Sequence, residues 1–226
     1  GRFKHESAAW HFTKDKRVVV YMGDDQANDY VYKFVSDKPY VEGNKAANRT
    51  LLDSGKLYVA RFDNGTVSGD FMGNGEWLLL DKEANPQLKA DASFPNQAAV
   101  LIHGRLAADK LGATKMDRPE WGAVNPRNGE VYMTLTYNPS RDFDKTDAAN
   151  PRYYNDPKEG KAQKGNANGH IIRWAEQDSK GTATRFQWDV FLFGARSTAD
   201  RDNINLSGLS ADNDFSSPDG LWFARS

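Results

Sequence analysis

The 226 residues contain no cysteine. This absence excludes disulfide bonds, thiolate nucleophiles and zinc sites with sulfur ligands from the chain. Any metal ion bound here must be held by carboxylate or carbonyl oxygen and by histidine nitrogen. Such donors favour hard cations, with calcium or magnesium first and manganese or ferric iron after them.

The chain also lacks a long apolar run and an excess of charge of either sign. No segment reaches the roughly 18 apolar residues needed to cross a bilayer, so we expect no membrane insertion. Lysine and arginine total 30 against 31 aspartate and glutamate, which gives a formal net charge of -1. Because this balance does not attract nucleic acid, we expect partners to be recognised by local groups.

Aromatic and aliphatic runs separated by turns with Asp or Asn beside Gly predict an all-β protein. The predicted strands cover residues 17–22, 30–35, 56–62, 76–80, 170–174 and 184–193. This pattern is typical of a β-propeller or a β-sandwich, and we favour the propeller because of the 12% aromatic content. One amphipathic helix is predicted around 95–111, with Gly112 at its C-terminus. A long polar stretch at 138–168 is typical of a functional or disordered loop.

A charged cluster precedes a predicted hairpin in the middle of the chain. The hairpin turns at Asn128-Gly129, and the charged residues are Lys115, Asp117, Arg118 and Glu120. Arginine can bind a phosphate or carboxylate through two parallel hydrogen bonds, and a nearby glutamate can bind a cation. The same residues also fit a surface ion pair, and at this level the two interpretations carry equal weight.

Other candidates each have a simpler structural interpretation. His5-Glu6 fits a solvated terminus, and Asp24-Asp25 fits a turn as well as a pair of cation ligands. Asp219 in Ser-Pro-Asp-Gly fits a type I turn or a metal ligand. His170 fits a hydrogen-bonded histidine at a strand end. The sequence contains no Gly-x-Ser-x-Gly elbow, P-loop or dinucleotide-binding fingerprint.

Taken together, the motifs resemble the PhoX-type alkaline phosphatases of bacteria. The resemblance covers nearly the whole chain, with the motifs in the family's order. The matching segments are GRFKHE, VVYMGDD, YVYKFVS, LYVARF, RLAADKLGATKMDRPEW, NGEVYMTLT, NPR, GHIIRW and SPDGLWF.

The resemblance implies a calcium- and iron-dependent phosphomonoesterase on a six-bladed β-propeller, exported to the periplasm or secreted by the twin-arginine route. In that family the residues that match Glu6 and Glu120 are metal ligands, and the one that matches Arg118 contacts the substrate phosphate. Asp219 is a further metal ligand by a looser match. Lys115 is placed near the phosphate on charge alone. The implied substrates are small phosphate esters.

Two departures from the family limit what these 226 residues are expected to do. The family has an upstream segment whose cysteine binds iron, and its chains continue past the last residues of this one. We therefore expect a single, incomplete propeller domain over 1–226 with several blades, weak or no activity, and no signal peptide of its own. Its open sheet edges are expected to associate with the rest of a parent chain or with another copy. The alternative is a non-catalytic β-propeller binding module or a relative whose site has decayed.

Overall fold

The computed structural model describes residues 2–158, 161–177 and 180–224, and within these ranges most of the regular structure is β-strand. The strands are β1 (His5–Phe12), β2 (Arg17–Asp24), β3 (Ala27–Asp29), β4 (Val31–Pro39), β5 (Gly55–Phe62), β6 (Met72–Leu79), β7 (Met116–Asp117), β8 (Pro119–Val124), β9 (Val131–Leu135), β10 (Asp156–Lys158), β11 (Lys161–Gln163), β12 (His170–Glu176) and β13 (Arg185–Phe193). The helices are α1 (Lys45–Asn48), α2 (Pro86–Lys89), α3 (Gln97–Ile102) and α4 (Gly104–Leu111). The predicted all-β class is confirmed.

Nine strands form one antiparallel sheet in the order β1-β2-β4-β5-β6-β13-β12-β9-β8. The sheet curls until its two end strands approach, and there the Gly122 amide of β8 donates a hydrogen bond to Ser7 Oγ of β1 at 2.8 Å. Gly23 of β2 lies against β8 so closely that a Cβ atom would stand 2.5 Å from Pro119 O. Only glycine allows this approach of the two backbones. The curl agrees with the predicted propeller-like architecture and brings the two edge strands, β1 and β8, next to each other.

Two hydrophobic clusters stabilise this arrangement. One lies inside the curled sheet and includes the buried aromatic residues Tyr21, Trp77, Trp174 and Phe186. The other packs strand residues such as Tyr32 against Leu88, Val100 and Ala107 of the helices. Because strands such as β9 are buried on both faces, they appear in the sequence as nearly continuous apolar runs.

A buried ion pair lies within the sheet at one side of the first cluster. Lys33 Nζ lies 3.2 Å from both carboxylate oxygens of Glu176, and both side chains are almost fully buried. Tyr21 Oη and Trp77 Nε1 donate further hydrogen bonds to Glu176 Oε1 at 2.7 and 3.0 Å. Burial raises the pKa of Glu176 to about 7 and lowers the pKa of Lys33 to about 8.

The segment predicted as one helix is helical, but in two parts. His103 ends α3 with φ -98° and ψ 43°, and α4 begins at the next residue. A Cβ atom on Gly104 would stand 3.9 Å from Tyr32 Oη, so the start of α4 lies against β4 of the sheet. Gly112 ends α4 in the left-handed conformation with φ 72°, as the sequence predicted. Within the described residues, no helix is long and apolar enough to span a membrane.

The polar stretch at 138–168 is more ordered than its composition suggests. Its described part includes a 3-10 helix at Phe143–Lys145 and the short pair β10–β11. Several polar side chains in it are buried, among them Asn138, Arg141 and Asn166. Their contacts, described below, lead to the strand that precedes Arg118.

Candidate active site

Three carboxylates converge where the sheet curls onto itself. Glu6 comes from β1, Asp25 from the turn after β2, and Glu120 from β8, with one oxygen of each lying within 4.8 Å of the others. Glu120 is buried at 6% exposure, and the other two are half-buried. The antiparallel register that pairs Glu6 with Gly23 places the first two close together. The approach of β8 to β1 then adds the third.

Arg118 reaches the same place from the junction of β7 and β8. Its Nη2 lies 2.9 Å from Asp25 Oδ1 and 3.4 Å from Glu120 Oε1, and its Nη1 donates to Tyr137 O at 3.3 Å. Its backbone has φ 47°, in the left-handed region. This conformation costs a residue with a side chain about 1–2 kcal/mol, so the surrounding contacts must hold it in place.

A buried polar network supports the backbone beside Arg118. The carboxylate of Asp117 accepts hydrogen bonds from Asn138 Nδ2 at 2.6 Å, Arg141 Nε at 2.7 Å and Asn166 Nδ2 at 2.9 Å. The Asp117 amide donates to Asn150 Oδ1 at 3.0 Å. The polar stretch at 138–168 therefore anchors the strand from which Arg118 projects.

The electrostatics of the three carboxylates indicate a shortage of positive charge. Burial, followed by the nearby charge of Asp25, raises the pKa of Glu120 to about 7, and Arg118 only partly opposes this shift. Arg118 is the cation paired with Asp25 and Glu120, at 2.9 Å from Asp25 Oδ1 and 3.4 Å from Glu120 Oε1. All the available donors are oxygens, which are the ligands that hard cations prefer. These residues therefore fit a calcium-type cation, and Glu6, Asp25 and Glu120 would hold it.

Asp219 lies at the margin of this group. Its negative charge contributes to the raised pKa of Glu120, while its own side chain is exposed. Thr134 Oγ1 of β9 donates to its carbonyl oxygen at 2.6 Å and fixes the backbone there. Asp219 is outside the set of three oxygens within 4.8 Å, and its role as a metal ligand stays a prediction.

Lys115 points to a different partner. Its ammonium group forms an ion pair with Asp109 of α4 at 2.9 Å, and more than half of its side chain is exposed. Asp109 also accepts a hydrogen bond from Tyr30 Oη at 2.6 Å. The structure thus places Lys115 in an ion pair with the helix, and its contact with phosphate stays a prediction.

Asp25 is a site residue for which the sequence left two interpretations open, a turn residue or a cation ligand. In the structure Asp24 ends β2, and Asp25 lies in the two-residue connection to β3. The usable signal was the pair of carboxylates after a buried strand, but it indicates a site only once β1 is known to pair with β2. His170, by contrast, is fully buried with hydrogen-bond contacts to Asn166 Nδ2 and Ala149 O, both at 2.8 Å, as a structural histidine should be.

One family model and one solved structure are similar to this chain. The model of a family described as alkaline phosphatase PhoX matches residues 1–226. Among solved structures, the chain is similar to Pseudomonas fluorescens PhoX in complex with vanadate, a transition state analogue, at 40% sequence identity and a TM-score of 0.82. The similarity covers 100% of this chain and 38% of that one, so this chain spans well under half the length of that protein. No curated protein matches the chain.

Proposed function

The chain belongs to the alkaline phosphatase PhoX family, and on this premise we propose that it supplies part of the active site of a metal-dependent phosphatase acting on phosphate monoesters. The observation that carries the proposal is the convergence of Glu6, Asp25 and Glu120 beside Arg118. Carboxylates bind hard cations, and guanidinium groups bind phosphate. The relative from Pseudomonas fluorescens was solved with vanadate, a transition state analogue, which supports a phosphate-ester substrate.

The charges of the site give its carboxylates and its arginine different roles. The three carboxylates, when ionised, outweigh the single positive charge of Arg118, so a phosphate dianion is repelled until cations are bound. A bound hard cation supplies Lewis-acid stabilisation of phosphoryl oxygens. Arg118 binds those oxygens and offsets the charge that develops on them in the transition state. Because Asp25 and Tyr137 O hold its guanidinium in place, this donor is preorganised.

The family resemblance favours calcium and iron as the cations, together with export to the periplasm. The oxygen donors of Glu6, Asp25 and Glu120 suit calcium. The cysteine ligand of iron in the family lies in a segment outside this chain, so iron binding is proposed for a longer protein that contains both parts. Asp219 is proposed as an additional oxygen ligand at the margin of the site.

Calcium titration of the 226-residue chain by calorimetry tests the cation site. Glu120→Gln should weaken calcium binding by at least about tenfold, since even residues that only support a ligand contribute this much. Glu130→Gln is the matched control, because Glu130 follows the hairpin turn and contacts Tyr132 and Arg173 instead. Equal calcium affinity in the two variants would exclude Glu120 as a ligand.

Binding of inorganic vanadate in the presence of calcium tests the role of Arg118. Arg118→Ala should weaken vanadate binding by about 10- to 100-fold, the value of a charge-assisted hydrogen bond, while folding is affected less. Arg127→Ala is the control, because Arg127 is an exposed arginine in the loop between β8 and β9. If both variants bind vanadate like the unchanged chain, the phosphate site lies elsewhere.

Hydrolysis of para-nitrophenyl phosphate with calcium and iron added separates the proposal from the binding-module alternative. We expect turnover by a full-length family protein that carries this segment, and weak or no turnover by the 226 residues alone. Calcium and vanadate binding without hydrolysis in the full-length protein would favour the non-catalytic alternative. Robust turnover by the short chain would contradict the expected incompleteness of its site.

A further inference from the structure

An ion pair between a helix and the sheet lies directly beside the three carboxylates. Arg105 of α4 donates from Nε to Asp24 Oδ2 at 2.7 Å and from Nη2 to Asp24 Oδ1 at 2.6 Å. The Asp24 side chain is fully buried, whereas that of Arg105 remains 29% exposed. Two parallel hydrogen bonds from a guanidinium fix the plane of a carboxylate as well as its charge.

The same carboxylate joins the two backbone segments that carry Glu6 and Asp25. The Lys4 amide donates to Asp24 Oδ1 at 3.1 Å, and the Asp25 amide donates back to Lys4 O at 2.9 Å. Lys4 precedes Glu6 by two residues, and Asp24 directly precedes Asp25. A shift of the Asp24 carboxylate would therefore move both ligand-bearing backbones at once.

Packing of α4 alone does not account for this arrangement. The helix already buries Ala107 and Ala108 in the second hydrophobic cluster. Asp24 itself is outside the group of carboxylates that lie close enough to share a cation. Its two oxygens are instead occupied by Arg105 and the Lys4 amide, so the pair acts on the geometry of its neighbours.

We propose that Arg105 and Asp24 are positioning residues for the cation site, holding Asp25 and Glu6 at the separation that a hard cation requires. The inference rests on the proposed function, because it assumes that the three carboxylates bind a cation. It assigns the helical segment a role in the site: α4 carries the arginine that fixes the turn after β2. Residues that hold metal ligands in place typically contribute about 10- to 100-fold to metal affinity.

The chain contains a matched ion pair for comparison. Arg173 of β12 donates from Nε to Asp189 Oδ1 of β13 at 2.9 Å and from Nη2 to Asp189 Oδ2, so this pair also has two parallel hydrogen bonds. Its side chains are 31% and 26% exposed. Neither residue adjoins Glu6, Asp25 or Glu120 in sequence. An arginine-to-lysine change keeps the charge in either pair but loses the two-pronged geometry.

The experiment compares Arg105→Lys with Arg173→Lys, using calcium alone as the probe. Calorimetry gives the calcium affinity, and urea unfolding gives the stability of each variant. We expect both variants to fold and to lose stability, and only Arg105→Lys to bind calcium about 10- to 100-fold more weakly. Asp24→Asn, which preserves the shape of the side chain, should weaken calcium binding in the same way.

The outcomes separate this inference from the proposed function. If Glu120→Gln weakens calcium binding but Arg105→Lys binds as tightly as Arg173→Lys, the cation site stands and the positioning role is wrong. If Glu120→Gln leaves calcium binding unchanged, or the unchanged chain binds no calcium, the cation site itself is wrong and this inference falls with it. Selective weakening of calcium binding in Arg105→Lys, in a chain that urea unfolding shows to be folded under the binding conditions, supports the positioning role.

Discussion

The buried pair of Lys33 and Glu176 should make the stability of this fold depend on pH in a specific direction. Burial raises the pKa of Glu176 from its usual 4.5 to about 7 in the folded state. The folded chain therefore keeps this proton over a pH range in which the unfolded chain has lost it. The contribution of Glu176 to the free energy of unfolding is therefore largest below about pH 4.5 and declines as the pH rises to about 7. At about 1.4 kcal/mol per pKa unit, the decline amounts to about 3 kcal/mol.

Replacing Glu176 with glutamine removes the ionisable group and should remove this decline. Lys33, whose pKa burial already lowers to about 8, would lose the carboxylate that raises it and would favour the neutral form further. Between about pH 5 and about pH 8 the stability of Glu176→Gln should therefore fall less, or rise more, than that of the unchanged chain, because all other groups titrate in both proteins. The double variant Lys33→Met/Glu176→Gln removes both groups. Its stability therefore shows the pH dependence that all other titratable groups cause.

Urea unfolding followed by tryptophan fluorescence measures these free energies. A chelator should be present, so that cation binding does not contribute to the pH dependence. Glu83→Gln is a suitable control, because Glu83 forms an exposed ion pair with Lys89 and should leave the pH profile unchanged. Parallel profiles for Glu176→Gln and the unchanged chain would refute the argument, since they would mean that Glu176 titrates alike in the folded and unfolded states.

Two further predictions concern the framework of the site. Gly23→Ala should lower the free energy of unfolding by about 1–3 kcal/mol, because its methyl group meets Pro119 O at 2.5 Å. Gly220→Ala, whose Cβ meets nothing within 4 Å, is the control, and equal urea midpoints would argue against the close approach. Asp117→Ala should cost about 3–5 kcal/mol in urea unfolding, because buried Arg141 loses its carboxylate partner. A cost below about 1 kcal/mol would mean that the network relaxes around the loss.

Local patterns predicted the elements around the site well. The predicted hairpin of β8 and β9 is present, but its loop spans residues 126–129 and is closed by the hydrogen bond from the Asn125 amide to Glu130 O at 2.8 Å. Gly129 has φ 77°, which favours glycine there, whereas Asn128 does not share the left-handed conformation of a two-residue Asn-Gly turn. Strands at 17–22 and 170–174 appear in the structure with ends extended by two residues. These features depend on neighbours in sequence, which is why alternation and turn residues suffice to find them.

The site itself depends on contacts between distant residues. From the residues alone, Glu6 fitted a solvated terminus, and only the family resemblance made it a ligand. In the structure it is part of β1, whose pairing with β2 brings it beside Asp25. No local pattern around either residue specifies that register. The sequence does not decide between a turn and a cation ligand for Asp25, because Asp-Asp after a strand satisfies turn chemistry without any ligand.

The positive charges of Lys115 and Arg118 do not predict which partners these two side chains contact, because the backbone conformation decides it. Lys115 and Arg118 are three residues apart in one charged cluster, yet they reach different partners. The left-handed backbone at Arg118 aims its side chain at Asp25, while Lys115 extends to Asp109 on α4. A sequence shows that both are cationic, but it does not show the single unusual φ angle that separates them.

Electrostatic repulsion among the three carboxylates opposes the curling of the sheet that brings them together. Two ionised carboxylates whose oxygens lie within 4.8 Å repel each other by at least about 3 kcal/mol at an effective dielectric constant of about 20. Arg118 offsets only part of this repulsion, as the raised pKa of Glu120 indicates. The edge must therefore be closed by other groups, among them the Ser7–Gly122 hydrogen bond and the ion pair of Arg105 with Asp24. Because these contacts hold the oxygens together before any ligand is bound, a cation entering the site relieves existing repulsion and need not reorganise the fold.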